Sequence, residues 1–332
     1  MQYFVGVDVG STKTHVAIAD VSGQIVGFGQ SGAGNNQVVG YDGMLLALQQ
    51  GLQQATKQAQ VAVETIAGAG FGIAGYDWPS QKPDMLKVLE QLELTCPLKF
   101  VNDGVPPLLA ASEAGWGISL ISGTGCNCRG WDRERQREGR VTGYGYQMGE
   151  FAGASELVWR AMQLVAHAWT KRGQPTALSE AFIAYAGAKD LADLLEGYTE
   201  RYLTVNAGAA PLVFEVARGG DEVALELLRW TGEELAEMAR AVARQLEFEA
   251  EAFDVVLSGS LFKGGHLLID PMWQAITRFA PQARLVHLSA PPVMGSVVLG
   301  MGQAGIQVTA VIRQKLSDTL THFYKEPVVE SM

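Results

Sequence analysis

The sequence predicts an α/β protein of two lobes, each of which opens in a β-hairpin with a turn of small residues. Three observations support this fold class. The chain has 332 residues, which is long for a single hydrophobic core. Apolar runs flank a Gly/Ser/Thr turn at residues 10–14 and a second such turn at residues 122–125. The second half repeats the opening order of strands, so we expect a mixed sheet in each lobe.

The first lobe is expected over residues 1–115. Three strands separated by tight turns are predicted between residues 4 and 28. Residues 41–60 then have the apolar spacing of an amphipathic helix. The remaining elements are a buried strand at 66–73, a helix at 83–92, a strand at 98–101 and a helix at 105–115.

The second lobe is expected over residues 116–307, followed by a peripheral tail at 308–332. Its helices are predicted mainly within residues 153–250. A helix of small residues at 293–305 is a candidate for packing back on the first lobe. Strands are predicted at 119–129, 139–144, 253–258 and 285–288.

Composition and charge exclude several classes of protein. Apolar residues make up 48% of the chain and charged residues 18%, as in a compact globular enzyme. The formal net charge of −10 disfavours a nucleic-acid partner, because clustered Lys and Arg bind phosphate backbones. No membrane helix or targeting segment is recognised, and three cysteines are too few for a secreted disulfide framework. We therefore expect a cytoplasmic protein with no membrane and no nucleic-acid partner.

The first turn combines residue types that bind phosphate. Small residues let backbone amides approach an anion, and hydroxyl groups add further donors. Asp8, at the end of the preceding strand, can orient Mg²⁺ through its water shell, and Lys13 can reach a phosphate or hold Asp8. The alternatives are a turn-capping role for Asp8 and a solvated strand lysine. The candidate residues are Asp8, Gly10, Ser11, Thr12, Lys13 and Thr14.

The second turn contains Gly123, Thr124 and Gly125 and is a weaker signal alone. Together the two turns predict two lobes that close on one nucleotide, ATP, in a cleft between them. Cys126 and Cys128 follow in a C-x-C pattern. Without a second pair, this pattern favours buried small hydrophobes over metal ligands.

Asp103 lies between a predicted strand and a predicted helix. An acid in this position points toward the edge where open α/β sheets bind ligands. Transfer of a phosphoryl group to an alcohol needs a base near the hydroxyl group. An N-cap role for the following helix fits the spacing equally well.

For other polar and aromatic residues, the sequence allows more than one role. Asn35 is a turn residue or a ligand contact. Glu150 either complements a helix dipole or accepts a sugar hydroxyl. Trp78 and Tyr144, which lie in loops with Gly and Pro, are candidate pocket walls for the apolar face of a sugar.

With these motifs, the chain resembles the N-acetylglucosamine kinase branch of the BadF/BadG/BcrA/BcrD ATPase family. This family has the actin-like ATPase (ribonuclease H-like) fold that actin, Hsp70 and sugar kinases share. The similarity covers roughly residues 4–305. It is carried by residues 8–14, 34–36, 101–103, 120–128, 143–145 and 256–260.

The resemblance implies an ATP-dependent sugar kinase that uses Mg²⁺, in a cytoplasmic homodimer. Asp103 would be the base at the 6-hydroxyl of the sugar. Thr12 and Thr124 would contact the phosphates, and Ala217, Gly259, Ser260 and Gly264 the nucleoside. The sugar would be surrounded by Asn35, Cys126, Asn127, Gly143, Tyr144, Gly145 and Glu150.

The chain departs from the family pattern next to the sugar. The family sequence Gly-Asp-Glu-Gly-Ser becomes Gly149-Glu150-Phe151-Ala152-Gly153. The predicted reaction converts N-acetylglucosamine to its 6-phosphate, with glucosamine or another hexose as the alternative acceptor. The alternative classes are an ATPase activator subunit of an acyl-CoA reductase or dehydratase, and a non-enzymatic sugar sensor or filament-forming relative.

Overall fold

The computed structural model describes residues 2–323, which form two compact units. The first unit comprises residues 2–117 and 286–323, and the second comprises residues 118–285. Each contains a five-stranded sheet with helices, which confirms the predicted α/β fold class. Among these residues, no helix combines the length and the apolar character that a bilayer crossing requires.

The sheet of the first unit has the strand order β3-β2-β1-β4-β5. β2 is antiparallel to β1 and β3, whereas β1, β4 and β5 run parallel to one another. The register aligns Val9 with Ile73 and Ile73 with Asn102, so three strands end at the same edge. The loops that follow them are thereby brought together. The strands are β1 (Tyr3–Val9), β2 (Thr14–Asp20), β3 (Ile25–Ser31), β4 (Ile66–Ile73) and β5 (Leu98–Asn102).

Helices α1 (Asn36–Ala59), α2 (Lys82–Glu90) and α3 (Val105–Ala111) follow β3, β4 and β5. α1 begins five residues before the predicted start because the side chain of Asn35 caps it. Gly40 has a non-helical backbone (φ 69°), which explains why regular apolar spacing appears only after it. The apolar face of α1 then packs into the core of the first sheet.

The sheet of the second unit has the strand order β10-β9-β6-β7-β8. β8 ends at Arg140, earlier than the predicted strand at 139–144, because a loop with left-handed glycines follows it. The strands are β6 (Gly117–Ser122), β7 (Cys126–Trp131), β8 (Glu138–Arg140), β9 (Asp254–Ser258) and β10 (Arg284–His287). The helices are α4 (Ala154–Trp169), α5 (Leu178–Ala186), α6 (Leu191–Thr199), α7 (Ala210–Arg218), α8 (Glu222–Leu246) and α9 (His266–Phe279).

Helix α10 (Pro292–Gln303) packs on the sheet of the first unit. A Cβ atom on Gly6 would lie 2.2 Å from the nitrogen of Val297, and one on Gly70 would lie 2.2 Å from the carbonyl oxygen of Ser296. The close approach of helix and sheet therefore depends on glycine. Residues 286–307 thus group with the first unit, whereas the sequence boundary placed them in the second lobe.

Helix α11 (Ala310–Leu320) lies in the segment predicted as a peripheral tail. Arg313 is buried, and its Nη1 donates to the carbonyl of Leu109 at 2.6 Å. Leu316 and Leu320 are fully buried. The part of this segment up to residue 323 is therefore packed into the first unit, and residues 324–332 lie outside the described residues.

Candidate functional site

The hairpin between β1 and β2 is closed by one backbone hydrogen bond. The N–H of Gly10 donates to the carbonyl of Lys13 at 3.0 Å, and residues 11–13 are exposed. The carbonyl of Gly10 accepts from the N–H groups of Gly34 (3.0 Å) and Asn35 (3.3 Å). The turn is therefore fixed, and its exposed hydroxyls and lysine are suited to an anion.

Asp8 lies within β1, paired with His15 of β2 and Gly72 of β4, and is not part of the turn. Burial, followed by the negative charge of Asp103, raises the pKa of Asp8 from 3.8 to about 7, although Lys13 acts in the opposite direction. The three ionisable groups therefore interact within the first unit. Two carboxylates and one ammonium group fit a divalent cation, which would neutralise their excess negative charge.

Thr14 differs from the other residues of the predicted phosphate turn. It is the first residue of β2 and is fully buried, and its hydroxyl has no hydrogen-bond partner among residues 2–323. A Cβ atom on Gly34 would lie 2.6 Å from that hydroxyl. The Thr14 hydroxyl therefore faces the 32–35 loop rather than an exposed part of the turn.

Asn35 links the first turn to helix α1. Its Nδ2 donates to the hydroxyl of Ser11 at 3.0 Å, and its Oδ1 accepts from the N–H of Gln37 at 2.9 Å. Gly75 has a left-handed backbone, and a Cβ atom there would lie 2.3 Å from this Oδ1. The Asn35 side chain is thus held beside the phosphate turn, in a buried position.

Asp103 follows β5 at the edge where β1 and β4 also end. Its N–H donates to the carbonyl of Ile73 at 3.3 Å. Helix α3 begins at Val105 with Gly104 in the N-cap position. The structure therefore does not support the N-cap alternative, and it places Asp103 within electrostatic reach of Asp8.

A buried amide fixes the backbone on both sides of Asp103. Nδ2 of Asn102 donates to the carbonyl of Tyr76 and to Oδ1 of Asp77, both at 3.1 Å. Oδ1 of Asn102 accepts from the N–H of Gly104 at 2.9 Å. The second carboxylate oxygen of Asp77 accepts from Nε2 of Gln37 at 2.9 Å. The position of Asp103 is thus tied to the starts of α1 and α3.

The second turn is tied to the start of α4. The N–H of Gly123 donates to the carbonyl of Gly125 at 2.9 Å and closes the turn. The N–H groups of Ala154 and Ser155 donate to the carbonyls of Gly123 and Thr124, each at 2.9 Å. Gly123, Thr124 and Gly125 are accordingly held as one rigid element, with Thr124 exposed.

The turn after β9 lies directly against the second turn. Gly259 has φ 113°, and a Cβ atom there would lie 2.2 Å from the carbonyl oxygen of Ser122. Only glycine allows this approach. The hydroxyl of Ser122 donates to the carbonyl of Ala152 at 2.5 Å, which fixes the same region from the other side.

Cys126 and Cys128 are buried in β7. Burial raises the pKa of Cys126 to about 12 and also raises the pKa of Cys128. Both thiols are therefore protonated near neutral pH and pack as small apolar groups. Among residues 2–323, no group of three or more His, Cys, Asp or Glu side chains is arranged to hold a metal.

Glu150 orders the glycine loop at residues 143–145. Its Oε1 accepts from the N–H (2.7 Å) and the hydroxyl (2.8 Å) of Thr142, and its own N–H donates to the carbonyl of Gly145 at 3.0 Å. The loop lies close to Asn127, which a Cβ atom on Gly143 would approach to 3.5 Å. Because α4 begins only at Ala154, Glu150 precedes its first turn. The predicted sugar residues of this unit are therefore neighbours.

A cavity of about 390 Å³ lies beside α7 in the second unit. It contains two of the residues predicted at the nucleoside, Ser260 and Gly264. A Cβ atom on Gly264 would lie 2.1 Å from Cε1 of Phe214, so glycine is required there. Ala217 is buried in α7 and does not line this cavity, whereas Phe214, Glu215 and Arg218 of the same helix do.

Several residues around the turns, the Asp103 loop and the cavity have no signal in the local sequence that marks them as part of a site. Asp77 and Gln37 reach the Asp103 loop from distant parts of the chain, and no local pattern marks such partners. Phe214 belongs to the amphipathic pattern of α7 and therefore resembles an ordinary core residue. Glu156 is an acid on the buried face of α4, and this mismatch with its apolar neighbours is a detectable signal.

The fold and the residues gathered at its strand ends define an α/β protein of the nucleotide-using class. The chain belongs to the BadF/BadG/BcrA/BcrD ATPase family, whose family model matches residues 5–298. This match confirms the family predicted from the sequence motifs.

Similar proteins with assigned activities span almost the whole chain. N-acetyl-D-glucosamine kinase of Dictyostelium discoideum is 24% identical over 313 residues, which cover 90% of this chain and 98% of that protein. N-acetylmuramic acid/N-acetylglucosamine kinase of Clostridium acetobutylicum is 22% identical, with 91% and 99% covered. Among solved structures, a candidate N-acetylglucosamine kinase from Chromobacterium violaceum is 26% identical, with a TM-score of 0.66 and 90% and 99% covered.

Proposed function

We propose that this protein is an ATP-dependent sugar kinase that converts N-acetylglucosamine to N-acetylglucosamine 6-phosphate. The observation that carries the proposal is the position of Asp103. It directly follows β5, and its negative charge acts on Asp8 of the first hairpin, as the positive charge of Lys13 also does. The names and full-length coverage of the relatives support an amino sugar as the acceptor.

Asp103 acts as the base at the acceptor hydroxyl. Its carboxylate accepts the proton of the 6-hydroxyl while the sugar oxygen forms a bond to the γ-phosphorus. The bond between the γ-phosphorus and the bridging oxygen breaks, and ADP leaves. The hydrogen bonds of Asn102 hold the Asp103 backbone in place for this step.

The phosphates of ATP bind to both hairpin turns. Residues 11–13 contribute backbone amides, the hydroxyls of Ser11 and Thr12 and the charge of Lys13, and Thr124 and Gly125 contribute a second set. The N–H groups of Gly10 and Gly123 instead close the two turns. Asp8 would hold Mg²⁺, and the ion would supply charge neutralisation at the phosphates. Because the pKa of Asp8 is raised, its carboxyl group is partly protonated near neutral pH. A bound cation would lower this pKa and favour the carboxylate.

The nucleoside occupies the cavity beside α7. Ser260 and Gly264 line it, and the ring of Phe214 provides an apolar wall. Gly259 brings this region against the second turn, so the nucleoside cavity and the second phosphate turn are adjacent elements of the same unit.

The proposed sugar-binding residues carry amide and carboxylate groups that can bond to hydroxyls. They are Asn35, Asp103, Asn127, Glu150 and the loop at residues 143–145. Cys126 is mostly a small apolar neighbour because its thiol is buried. We further propose a cytoplasmic homodimer as the working form.

A coupled assay of ADP release tests the proposal. N-acetylglucosamine, glucosamine, glucose and N-acetylmuramic acid are supplied with Mg²⁺-ATP, and products are identified by mass spectrometry and by the site of phosphorylation. We expect turnover with N-acetylglucosamine and phosphate on the 6-oxygen. ATP binding without turnover on any of these sugars would contradict the kinase proposal and favour a sugar sensor.

A further inference from the structure

Glu156 occupies the third helical position of α4 and is only 7% exposed, although it carries a carboxyl group. Acids in the first turn of a helix complement its dipole, and they normally do so at the surface. Glu156 has no part in the proposed reaction. Its buried surroundings therefore indicate what else it contributes.

The backbone N–H groups at the start of α4 are engaged within the second unit. Those of Ala154 and Ser155 donate to carbonyls of the second turn, each at 2.9 Å. Burial raises the pKa of the Glu156 carboxyl group, and the N–H groups of Glu156 and Gly153 act in the opposite direction. The start of α4 is thus tied both to the second turn and to its own acid.

The carboxyl group of Glu156 packs between two glycine backbones. A Cβ atom on Gly145 would lie 2.6 Å from Oε1, and one on Gly153 would lie 2.5 Å from Oε2. Gly145 has a left-handed backbone (φ 61°) and belongs to the glycine loop at residues 143–145. The carboxyl group therefore lies between the glycine loop and the start of α4.

Gly153 extends this contact to the second turn. A Cβ atom on Gly153 would lie 2.5 Å from the carbonyl carbon of Gly125 and 2.6 Å from its Cα atom. Two backbones can approach so closely only where no side chain intervenes. Gly145, Glu156, Gly153 and Gly125 consequently form a continuous packed series from the glycine loop to the second turn.

Glu150 contacts the same loop through different groups. Its carboxylate accepts from Thr142, and its N–H donates to the carbonyl of Gly145. These bonds hold the loop to the segment that directly follows it. The contacts of Glu156, in contrast, extend from the loop to Gly153 and so to the second turn.

We propose that Glu156 is a positioning residue that fixes the glycine loop and the second phosphate turn relative to each other. The inference rests on the proposed kinase function, in which the loop contacts the sugar and the turn binds the phosphates. Glu156 acts on both ligands through the two glycines. Removal of its side chain should loosen both elements together, whereas Asp103 belongs to the first unit and keeps its own hydrogen-bonded surroundings.

Three variants of the full-length protein test this role. Glu156→Ala removes the packed side chain, and Glu156→Gln keeps its size and an acceptor oxygen. Glu180→Ala is the matched control, because Glu180 is an exposed acid at the same helical position of α5. Urea unfolding verifies that each variant is folded. If Glu156→Ala does not fold, Glu156→Asp, which withdraws the carboxyl group by one methylene, takes its place.

Two measurements are made on each variant. Steady-state kinetics with N-acetylglucosamine and Mg²⁺-ATP give KM for each substrate and kcat. Amide hydrogen exchange of the ligand-free protein reports on the second turn (residues 123–125) and on the segment that contains the glycine loop (residues 142–150). Exchange in α9, which is not part of the packed series, is the internal reference.

We expect Glu156→Ala to raise KM for both substrates by about fivefold or more, with kcat within about threefold of wild type. Exchange should accelerate in both segments and stay unchanged in α9. Glu156→Gln should keep both KM values within about twofold of wild type, and the control should match wild type.

A loss of stability with unchanged KM values and unchanged exchange in both segments would overturn the inference, because Glu156 would then be structural only. An effect on one segment or one substrate alone would also overturn it, since the two elements would not be linked. Absence of turnover on every sugar would contradict the kinase function. The exchange measurement would still decide whether Glu156 links the two elements, because it needs no substrate.

Discussion

The two hairpin turns have similar sequences but differ in their charged residues and in the hydrogen bonds that fix them. The turn at residues 10–13 is exposed, contains Lys13 and follows the acid Asp8. The turn at residues 123–125 has no charged residue, and backbone N–H groups at the start of α4 bind its carbonyls. The first unit therefore concentrates charge at its strand ends, whereas the second holds its turn through backbone contacts.

This difference extends to the surroundings of each turn. In the first unit, polar side chains from α1 and from the loops after β4 and β5 converge on Asp103. In the second unit, glycines at residues 259 and 264 allow close contacts beside a cavity. Substitutions in the first unit should thus change the rate of chemistry, and those in the second should change stability and nucleotide affinity.

The largest expected effect is on turnover, from Asp103→Asn in the first unit. An amide cannot accept the hydroxyl proton, so kcat should fall by about 10²- to 10⁴-fold. ATP and sugar affinities should remain within about threefold, because the amide preserves shape and polarity. Coupled ADP release and calorimetry measure the two quantities. Asp42→Asn, an exposed acid in α1, is the control and should retain full activity. Retained kcat in Asp103→Asn would remove the assigned base.

In the second unit, Gly259→Ala should mainly affect stability. The substitution combines a positive φ with a Cβ position 2.2 Å from a backbone oxygen, so the free energy of unfolding should fall by about 3 kcal/mol. Urea denaturation followed by circular dichroism measures the change. Gly302→Ala, at an exposed helical glycine with open space around it, should be neutral or slightly stabilising. Equal stability of the two variants would show that the close contact is not required.

Asn102→Ala tests whether the polar network of the first unit serves the reaction. Loss of its hydrogen bonds should lower the free energy of unfolding by about 1–3 kcal/mol. The looser Asp103 loop should lower kcat by about 10- to 100-fold, with an unchanged KM for ATP. Steady-state kinetics at temperatures where the variant is folded separate the two effects. A loss of stability with normal kcat would mean that the network is structural only.

The last prediction concerns the pH dependence of stability without ligands, which is spread over about three pH units. The folded-state pKa of Asp8 is about 7, against 3.8 for an unperturbed aspartate, so between these values the folded state holds a proton that the unfolded state has lost. This group therefore makes stability fall as pH rises from about 4 to about 7, and its contribution is constant above that range. Asp8→Asn should gain about 1.4 kcal/mol on wild type per pH unit across the window, about 4 kcal/mol in all. Parallel pH profiles of the two proteins would instead place Asp8 in a solvated position.

Part of the site could be predicted from residue order alone. The residues of both turns are adjacent in sequence, so their small side chains and hydroxyls reveal them directly. Asp103 also follows from the sequence, because a polar residue directly after a parallel strand lies at the ligand-binding edge. The N-cap alternative could not be excluded in this way, since it depends on where the helix begins, and Gly104 decides this.

The sequence by itself determined the succession of strands, turns and helices. The periodicity of apolar residues and the choice of turn residues depend only on neighbours close in the chain, so both can be read locally. Only the tertiary structure decided that α10 packs on the first sheet, that Thr14 turns inward and that Asp77 and Gln37 support the Asp103 loop. It likewise decided that Ala217 is buried while Phe214 lines a cavity, and that Glu156 is enclosed by two glycines. These features depend on contacts between residues far apart in the chain, and packing and desolvation at such contacts leave no local sequence pattern.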